Sequence, residues 1–366
     1  MPIRYIDEIN PKHLVGVALL RLDFNTEDDW RMRATLPTVR LLTARARAVL
    51  VLSHRGRPEV RDHKLSLRRD AACLARLLGK PVYFAQTITK ARRKLLELPT
   101  GSVLVLENLR FEKGEEKNDR AFARRLASLG NYFVNDAFPV SHRANASVSA
   151  ITEFLPSYGG LSMKQEIKNL SRVMRKPKRP LVMIFGGAKI SDKLAVFVRF
   201  RDAADRFLVG GALANTLLAF RGMDVKDSLV EEVPRTLRAI LRYPNVYLPD
   251  DFAWHGRKIF DIGPRTAARF AKEIAKARTV VWNGPVGVFE KSVYAGGTKA
   301  VGAAIARNRK AYTVVGGGET VAALKRFGLD KRISFISTGG GAMLEFLSGK
   351  KLPGIVALER GGRWGS

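Results

Sequence analysis

The chain has 366 residues, more than one hydrophobic core usually serves, and 46% of them are apolar, so two buried globular domains are expected and a disordered chain is excluded. Lys and Arg total 64 against 34 Asp and Glu, a formal charge of +30, which suits an acidic substrate, nucleic acid or an anionic surface. No apolar run approaches the roughly 18 residues of a membrane span, the first residues hold no signal-peptide core, and a lone cysteine, Cys73, excludes a disulfide framework and fits a reducing cytoplasm.

In chain order, the first half alternates short apolar runs with amphipathic stretches. Val15–Leu22, Ala48–Leu52, Val103–Leu106 and Tyr132–Asn135 read as strands buried on both faces. Cys73 lies in AACLARLLG, which predicts an apolar helix face and a core position. Asn118 and Asp119 form a helix cap, Phe122, Leu126 and Leu129 recur at i, i+4 and i+7, and Gly130 supplies a stop. Polar residues gather where the strands end. These are Arg21-Leu22-Asp23-Phe24-Asn25 with Arg31 beyond, Ser53-His54-Arg55-Gly56-Arg57-Pro58, Glu107-Asn108-Leu109-Arg110-Phe111, and Asn135-Asp136-Ala137-Phe138 followed by Ser141-His142-Arg143. A surface ion pair explains any one of these arginines. Four strand ends that each deliver Arg or His predict a basic cleft, because the guanidinium fork binds phosphate or carboxylate bidentately.

Met163–Val173 reads as a helix, and the basic, proline-flanked stretch Arg172–Pro180 is the best domain boundary. Strands follow at Leu181–Phe185, Arg206–Val209, Val246–Leu248, Thr279–Trp282, Thr313–Val315 and Ile333–Ile336. Such alternation predicts doubly wound α/β folding, with ligands at the C-terminal ends of parallel strands. In Gly186-Gly187-Ala188-Lys189-Ile190-Ser191-Asp192-Lys193 two lysines stand four apart at a strand-to-helix junction, where they oppose the helix dipole unless an anion sits beside them. Two triple-glycine turns, Gly316-Gly317-Gly318 and Gly339-Gly340-Gly341, each lie between an apolar strand and a helix. Each puts bare N–H groups and a positive dipole end at one point, and their closeness in sequence predicts one anion site on neighbouring strands. The Walker and dinucleotide-binding sequences are absent, and one Cys with five scattered His gives no zinc spacing.

These residues carry a resemblance. RLDFN (21–25), SHRGRP (53–58), LENLRF (106–111), FVNDAF (133–138), GGAKISDK (186–193), DIGPRT (261–266), VWNGPVGVFE (281–290), GGGET (316–320) and STGGGAMLEFLSGKKLPGI (337–355) make the chain similar, in order and over nearly its whole length, to the phosphoglycerate kinases. The resemblance implies two Rossmann-like parallel-sheet domains joined by a bridging helix. Residues 1–160 would bind 3-phosphoglycerate, 161–178 would bridge, 179–348 would bind the nucleotide, and 349–366 would return to the N-terminal domain. It implies reversible phosphoryl transfer between 1,3-bisphosphoglycerate and ADP, with Mg²⁺, domain closure and direct in-line transfer, in a cytoplasmic monomer. Asp23, Asn25, Arg31, His54, Arg57, Arg110 and Arg143 would hold the glycerate substrate. Gly210, Gly211 and the 285–288 turn would face adenine, with Asn283 and Glu290 near ribose and phosphates. Lys193, Gly317, Gly318, Thr320, Gly339 and Gly340 would hold the phosphate chain. Arg31, Lys189 and Gly341 would serve the phosphoryl group in flight, and Glu319 would bind the metal.

Four departures from the family pattern stand out. Glu319 replaces the usual Asp after the triple glycine, and the loop Thr26–Trp30 is short. His142-Arg143-Ala144-Asn145 lacks a second His, and the tail from Arg360 matches no pattern. Glu319 and the short loop raise an inactive relative as an alternative, against which stand the retained Arg31, Arg143, Lys189 and Lys193. The high charge also raises nucleic-acid binding. The chain holds no nucleic-acid-binding motif, so weak polyanion binding by the basic surface is a secondary expectation.

Overall fold

A computed structural model describes residues 2–188, 191–232 and 240–361. The chain divides into two compact units, residues 1–167 with 351–366, and residues 168–350.

The first unit is built on β1 (Val17–Arg21), β2 (Ala48–Leu52), β3 (Val82–Ala85), β4 (Ser102–Leu106), β5 (Tyr132–Asn135) and β6 (Ser157–Gly159). They form one sheet in the order β3-β4-β2-β1-β5-β6, with every neighbouring pair parallel. The four apolar runs read from sequence are its four central strands, buried on both faces. Sequence reading missed β3, an edge strand with a mixed burial pattern, and β6, which has three residues. Chain direction across the sheet reverses between β1 and β5, so their C-terminal ends open the crevice where doubly wound sheets take ligands. Asp119 caps the helix Arg120–Ala127 by accepting from Phe122 N at 2.6 Å. That helix ends before Gly130, where an added Cβ would strike Leu19 and the Val17 carbonyl, so the bare glycine allows close approach to the sheet. Cys73 is half-buried: it packs on the core but also lines a surface cavity.

The helix Leu161–Arg175 crosses from the first unit into the second. Its first turn is held by Asp136, whose Oδ1 accepts from Met163 N at 2.8 Å, and by Thr38, whose hydroxyl accepts from Leu161 N at 3.0 Å. The helix Pro353–Gly361 belongs to the first unit, where Gly354 N donates to the Ser141 carbonyl at 2.8 Å.

The second unit contains β7 (Leu181–Phe185), β8 (Arg206–Val209), β9 (Val246–Tyr247), β10 (Phe252–His255), β11 (Lys258–Ile262), β12 (Thr279–Asn283), β13 (Tyr312–Gly316) and β14 (Phe335–Ser337). A second parallel sheet runs β14-β13-β12-β7-β8-β9, and β10 with β11 forms a separate antiparallel hairpin that sequence reading missed. Here the direction reverses between β7 and β12. Phe185 of β7 and Phe207 of β8 pack their rings at a tilt against Phe197, with centroids 4.9 and 4.7 Å away; each buried ring contributes on the order of 2–3 kcal/mol.

Candidate active site

At the C-terminal ends of β1, β2 and β5 the charged loops of the first unit converge. His54, at the end of β2, is buried, and its Nδ1 lies 3.2 Å from Arg21 Nη2. Burial, reinforced by Arg21, Arg110, Arg143 and Arg31, holds its pKa well below the ordinary imidazole value. The ring is therefore neutral. A guanidinium only donates, so Nδ1 accepts and the proton resides on Nε2. Arg21 is itself fixed, donating from Nε to Ser147 Oγ at 2.8 Å and from Nη1 to the Leu22 carbonyl, with Glu115 Oε1 3.9 Å from Nη2. Glu115 accepts from Ser147 N at 3.0 Å and from its hydroxyl at 2.6 Å.

Asp23 follows β1 and accepts from Asn25 N at 2.9 Å and from Arg31 Nη1 at 2.8 Å. Arg31 stands in the first turn of the helix Trp30–Arg45, so the short Thr26–Trp30 loop still delivers it to Asp23. Its Nε is buried without an acceptor among the described residues, a state that costs about 1–3 kcal/mol unless an anion completes it. Asn25 ties two loops together by accepting from Gly56 N at 2.8 Å. Arg110 is buried, donates to the Gly56 carbonyl and pairs with Glu116 at 3.2 Å. Arg143 and Arg57 lie close enough to Arg110 to oppose its charge; Arg143 Nε lies 3.3 Å from His142 Nε2, and Arg57 is exposed. Arg55, in the same motif, is a structural tie: it binds Asp70 and the carbonyls of Phe24 and Thr26.

In the second unit three strand-end loops meet backbone to backbone. Gly187 N donates to the Pro285 carbonyl at 2.8 Å, and Gly211 N to that of Val286 at 3.0 Å. Gly284, at φ +91°, sits so close to Gly186 that no side chain fits between them. These loops wall a cavity of about 380 Å³ with Gly211, Val286, Phe252, Phe260, Glu290 and Glu319 among its lining. Its apolar faces suit a flat base, and the two carboxylates stand on its polar rim. Gly210 does not line the cavity and instead packs against Val286.

The two triple-glycine turns follow β13 and β14, which are paired, with Gly316 opposite Ser337. Helices begin at Gly318 and Gly340. A Cβ on Gly340 would lie 3.1 Å from Gly317 Cα, whereas Gly318 and Gly341 face open space. The fold does not require glycine at those two positions, so their bareness leaves room for an anion at two helix N-termini. Thr320 Oγ1 accepts from Gly284 N at 2.8 Å and Asn283 Nδ2 donates to the Gly316 carbonyl at 3.1 Å, so both hold the cradle together. Lys193 is buried in the helix Ser191–Phe200. Lys189 lies outside the described residues.

A family model described as phosphoglycerate kinase matches residues 16–350. The chain belongs to the phosphoglycerate kinase family. The curated phosphoglycerate kinases of Desulfosudis oleivorans and Thermus thermophilus are 42% and 43% identical to it, over 93% of this chain and 96% of theirs. The solved phosphoglycerate kinase structure from Pyrococcus horikoshii OT3 has a TM-score of 0.87 at 33% identity, and that from Coxiella burnetii 0.82 at 34%. Each alignment covers 98% of this chain and 99% of the other. As a member of the phosphoglycerate kinase family, the chain is a kinase, a phosphotransferase with a carboxyl group as acceptor, and its reaction is the family's glycolytic phosphoryl transfer.

Two groups beside the site carry no role in the sequence reading. Arg21 fixes the tautomer of His54; the signal for it is a charged residue ending an otherwise apolar buried strand. Asp261 is buried against Gly287 and Gly297, accepts from Gly297 N at 2.6 Å, and burial pushes its pKa up to about 7.

Proposed function

We propose that 3-phosphoglycerate and its acyl phosphate bind the first unit and ADP or ATP the second, with phosphoryl transfer direct and in line. The supporting observation is the pair of bare glycine turns on β13 and β14, an N–H cradle with a base-sized cavity on the same sheet. His54 would donate from Nε2 to the substrate, with Arg31, Arg57, Arg110 and Arg143 neutralising its charges and Asp23 and Asn25 orienting its glycerate end. Gly210 would support the adenine wall that Gly211 lines. Glu290 would take the ribose, with Asn283 beside it. Lys193, Thr320 and the amides at Gly317, Gly318, Gly339 and Gly340 would grip the phosphate chain. Arg31, Lys189 and the Gly341 amide would stabilise the transferring group. The substrate carboxylate is itself the nucleophile in the ATP-consuming direction, so the chemistry rests on positioning and charge neutralisation and needs no general base.

Among the described residues no three His, Cys, Asp or Glu gather as a metal cage. A nucleotide-bound Mg²⁺ takes only one or two protein carboxylates, and Glu319 fits. It is exposed in the first turn of its helix, on the cavity rim beside Gly187. Glu319 would hold the ion, which supplies charge neutralisation on the phosphates. The reading includes closure of the two units about the helix Leu161–Arg175, and a cytoplasmic monomer. No described helix is long and apolar enough to cross a membrane.

A coupled assay tests it: purified chain, ATP, Mg²⁺ and 3-phosphoglycerate, followed by NADH oxidation through added glyceraldehyde-3-phosphate dehydrogenase. Turnover above roughly 1 s⁻¹ that EDTA abolishes is expected. Folded, nucleotide-binding protein without turnover would make the inactive-relative reading correct.

A further inference from the structure

The phosphate-facing loops occupy one end of the second sheet, and the opposite end carries a different feature. Parallel strands all start at the same edge, and at this edge each of four adjacent strands is preceded by cations. Lys176, Lys178 and Arg179 lead into β7, and Arg278 immediately precedes β12. Arg307, Arg309 and Lys310 lead into β13, and Lys331 and Arg332 into β14. All nine are exposed.

The backbone holds these segments side by side. Arg278 N donates to the Pro180 carbonyl at 2.8 Å, and Tyr312 N to the Arg278 carbonyl at 2.9 Å. Asn308 Nδ2 reaches the Ala277 carbonyl at 3.0 Å. From the helix Leu161–Arg175, Arg172 adds a guanidinium 3.9 Å above the Tyr312 ring, at the same edge. Arg179 pairs with Asp205. Among the described residues none of the other eight strand-leading cations forms an ion pair. Arg307, Arg309 and Lys310 also rim a groove of about 520 Å³ floored by Ala271, Ala275 and Ala304, a concavity that focuses the positive field.

From this we infer that the strand-start edge of the second unit is a binding surface for the phosphate backbone of a nucleic acid. The four strands span about 15 Å at their usual spacing of about 4.8 Å, roughly four phosphates at 3.4 Å per nucleotide along one strand. The exposed large apolar side chains, such as Val198, Trp254 and Val293, lie in other segments, so this edge has no apolar wedge to enter a lipid surface. Because the edge lies at the far ends of the strands from the glycine turns, occupancy there is independent of substrate. The inference rests on the surface alone and stands or falls separately from the kinase reading.

The test is fluorescence anisotropy with a labelled 20-base-pair duplex and the full chain across a salt series. Log affinity should fall with log salt at a slope of about −3.6, as expected for some four neutralised phosphates of a duplex. The triple variant Arg278→Glu, Arg309→Glu, Lys310→Glu should bind at least tenfold more weakly with kinase activity retained. A charge-matched variant of the first unit, Lys12→Glu, Arg40→Glu, Lys90→Glu, should change affinity less than about threefold. MgATP and 3-phosphoglycerate at constant ionic strength should leave binding unchanged. Equal losses in the two triple variants, competition by MgATP, no binding at low salt, or binding to phosphatidylserine vesicles but not to the oligonucleotide would each overturn the inference.

Discussion

His54 illustrates how far a neighbour decides a residue's chemistry. A histidine at a strand end beside arginines reads from sequence as one more cation, yet burial and four guanidinium groups keep it neutral. Its ring should stay neutral through the pH range in which an ordinary imidazole takes up a proton, and its ¹⁵N shifts should show the proton on Nε2. Arg21→Met should release the tautomer, so that the ring shifts report the proton on both nitrogens while burial and the other three arginines keep the ring neutral; unchanged ring shifts in that variant would remove Arg21 from its positioning role. The stability consequence has a definite sign. The unfolded histidine binds a proton near pH 6.5 and the folded one does not, so this group withdraws stability as pH falls below that value. Glu319 sets a second expectation. Glu and Asp are equally hard oxygen ligands differing by one methylene, so Glu319→Asp should keep the Mg²⁺ requirement with a modest shift in its activation midpoint. Glu319→Ala should raise that midpoint tenfold or more. An unchanged midpoint in the alanine variant would show that the carboxylate does not hold the metal.

The helix Leu161–Arg175 depends on a group whose titration runs the other way. Asp136 is fully buried under Gly160, and desolvation raises its pKa to about 7, although the Thr38 hydroxyl and the amides of Ser162 and Met163 pull it down. No charged side chain contributes to that balance, from β1, the helix Trp30–Arg45 or its own loop. The folded protein therefore keeps a proton that the unfolded chain releases near pH 3.9, and Asp136 withdraws stability as pH rises from about 4 to 7. Asp136→Asn retains an oxygen to cap Met163 and removes the titration. Wild type minus variant stability, from urea midpoints across that range, should decline with pH and level off above 7. A flat difference would mean the carboxylate is ionised throughout. This cap was not legible in the sequence, because FVNDAF identifies a strand end and not the distant helix its carboxylate reaches. The elements themselves were legible where apolar runs cross the middle of a sheet, as at Leu181–Phe185. β3, β6 and the β10–β11 hairpin escaped because edge, short or half-exposed strands lack that signature. The glycine cradle was readable because two strand–glycine–helix turns define their own geometry. The Arg21–Ser147–Glu115 support was not, since its members lie more than a hundred positions apart in places.

At the scale of the molecule, the proposed reaction divides between two units: the arginines and His54 belong to residues 1–167, the glycine cradle to 168–350. Transfer requires reacting atoms about 3–3.5 Å apart in a site closed to water, so binding both substrates should bring the units together. Small-angle scattering on the unreactive combination of Mg-ADP and 3-phosphoglycerate should show a smaller radius of gyration than the free chain, with either ligand alone giving less. A competing cause needs separating from closure. With a formal charge of +30, the chain repels itself, and any bound anion relaxes that repulsion. At 0.15 M salt the Debye length is about 8 Å and long-range repulsion is already screened, so contraction that persists there reports contact between units. Contraction seen only at low salt, or equally with inorganic pyrophosphate, would assign the change to charge and leave the two half-sites without a demonstrated route to each other.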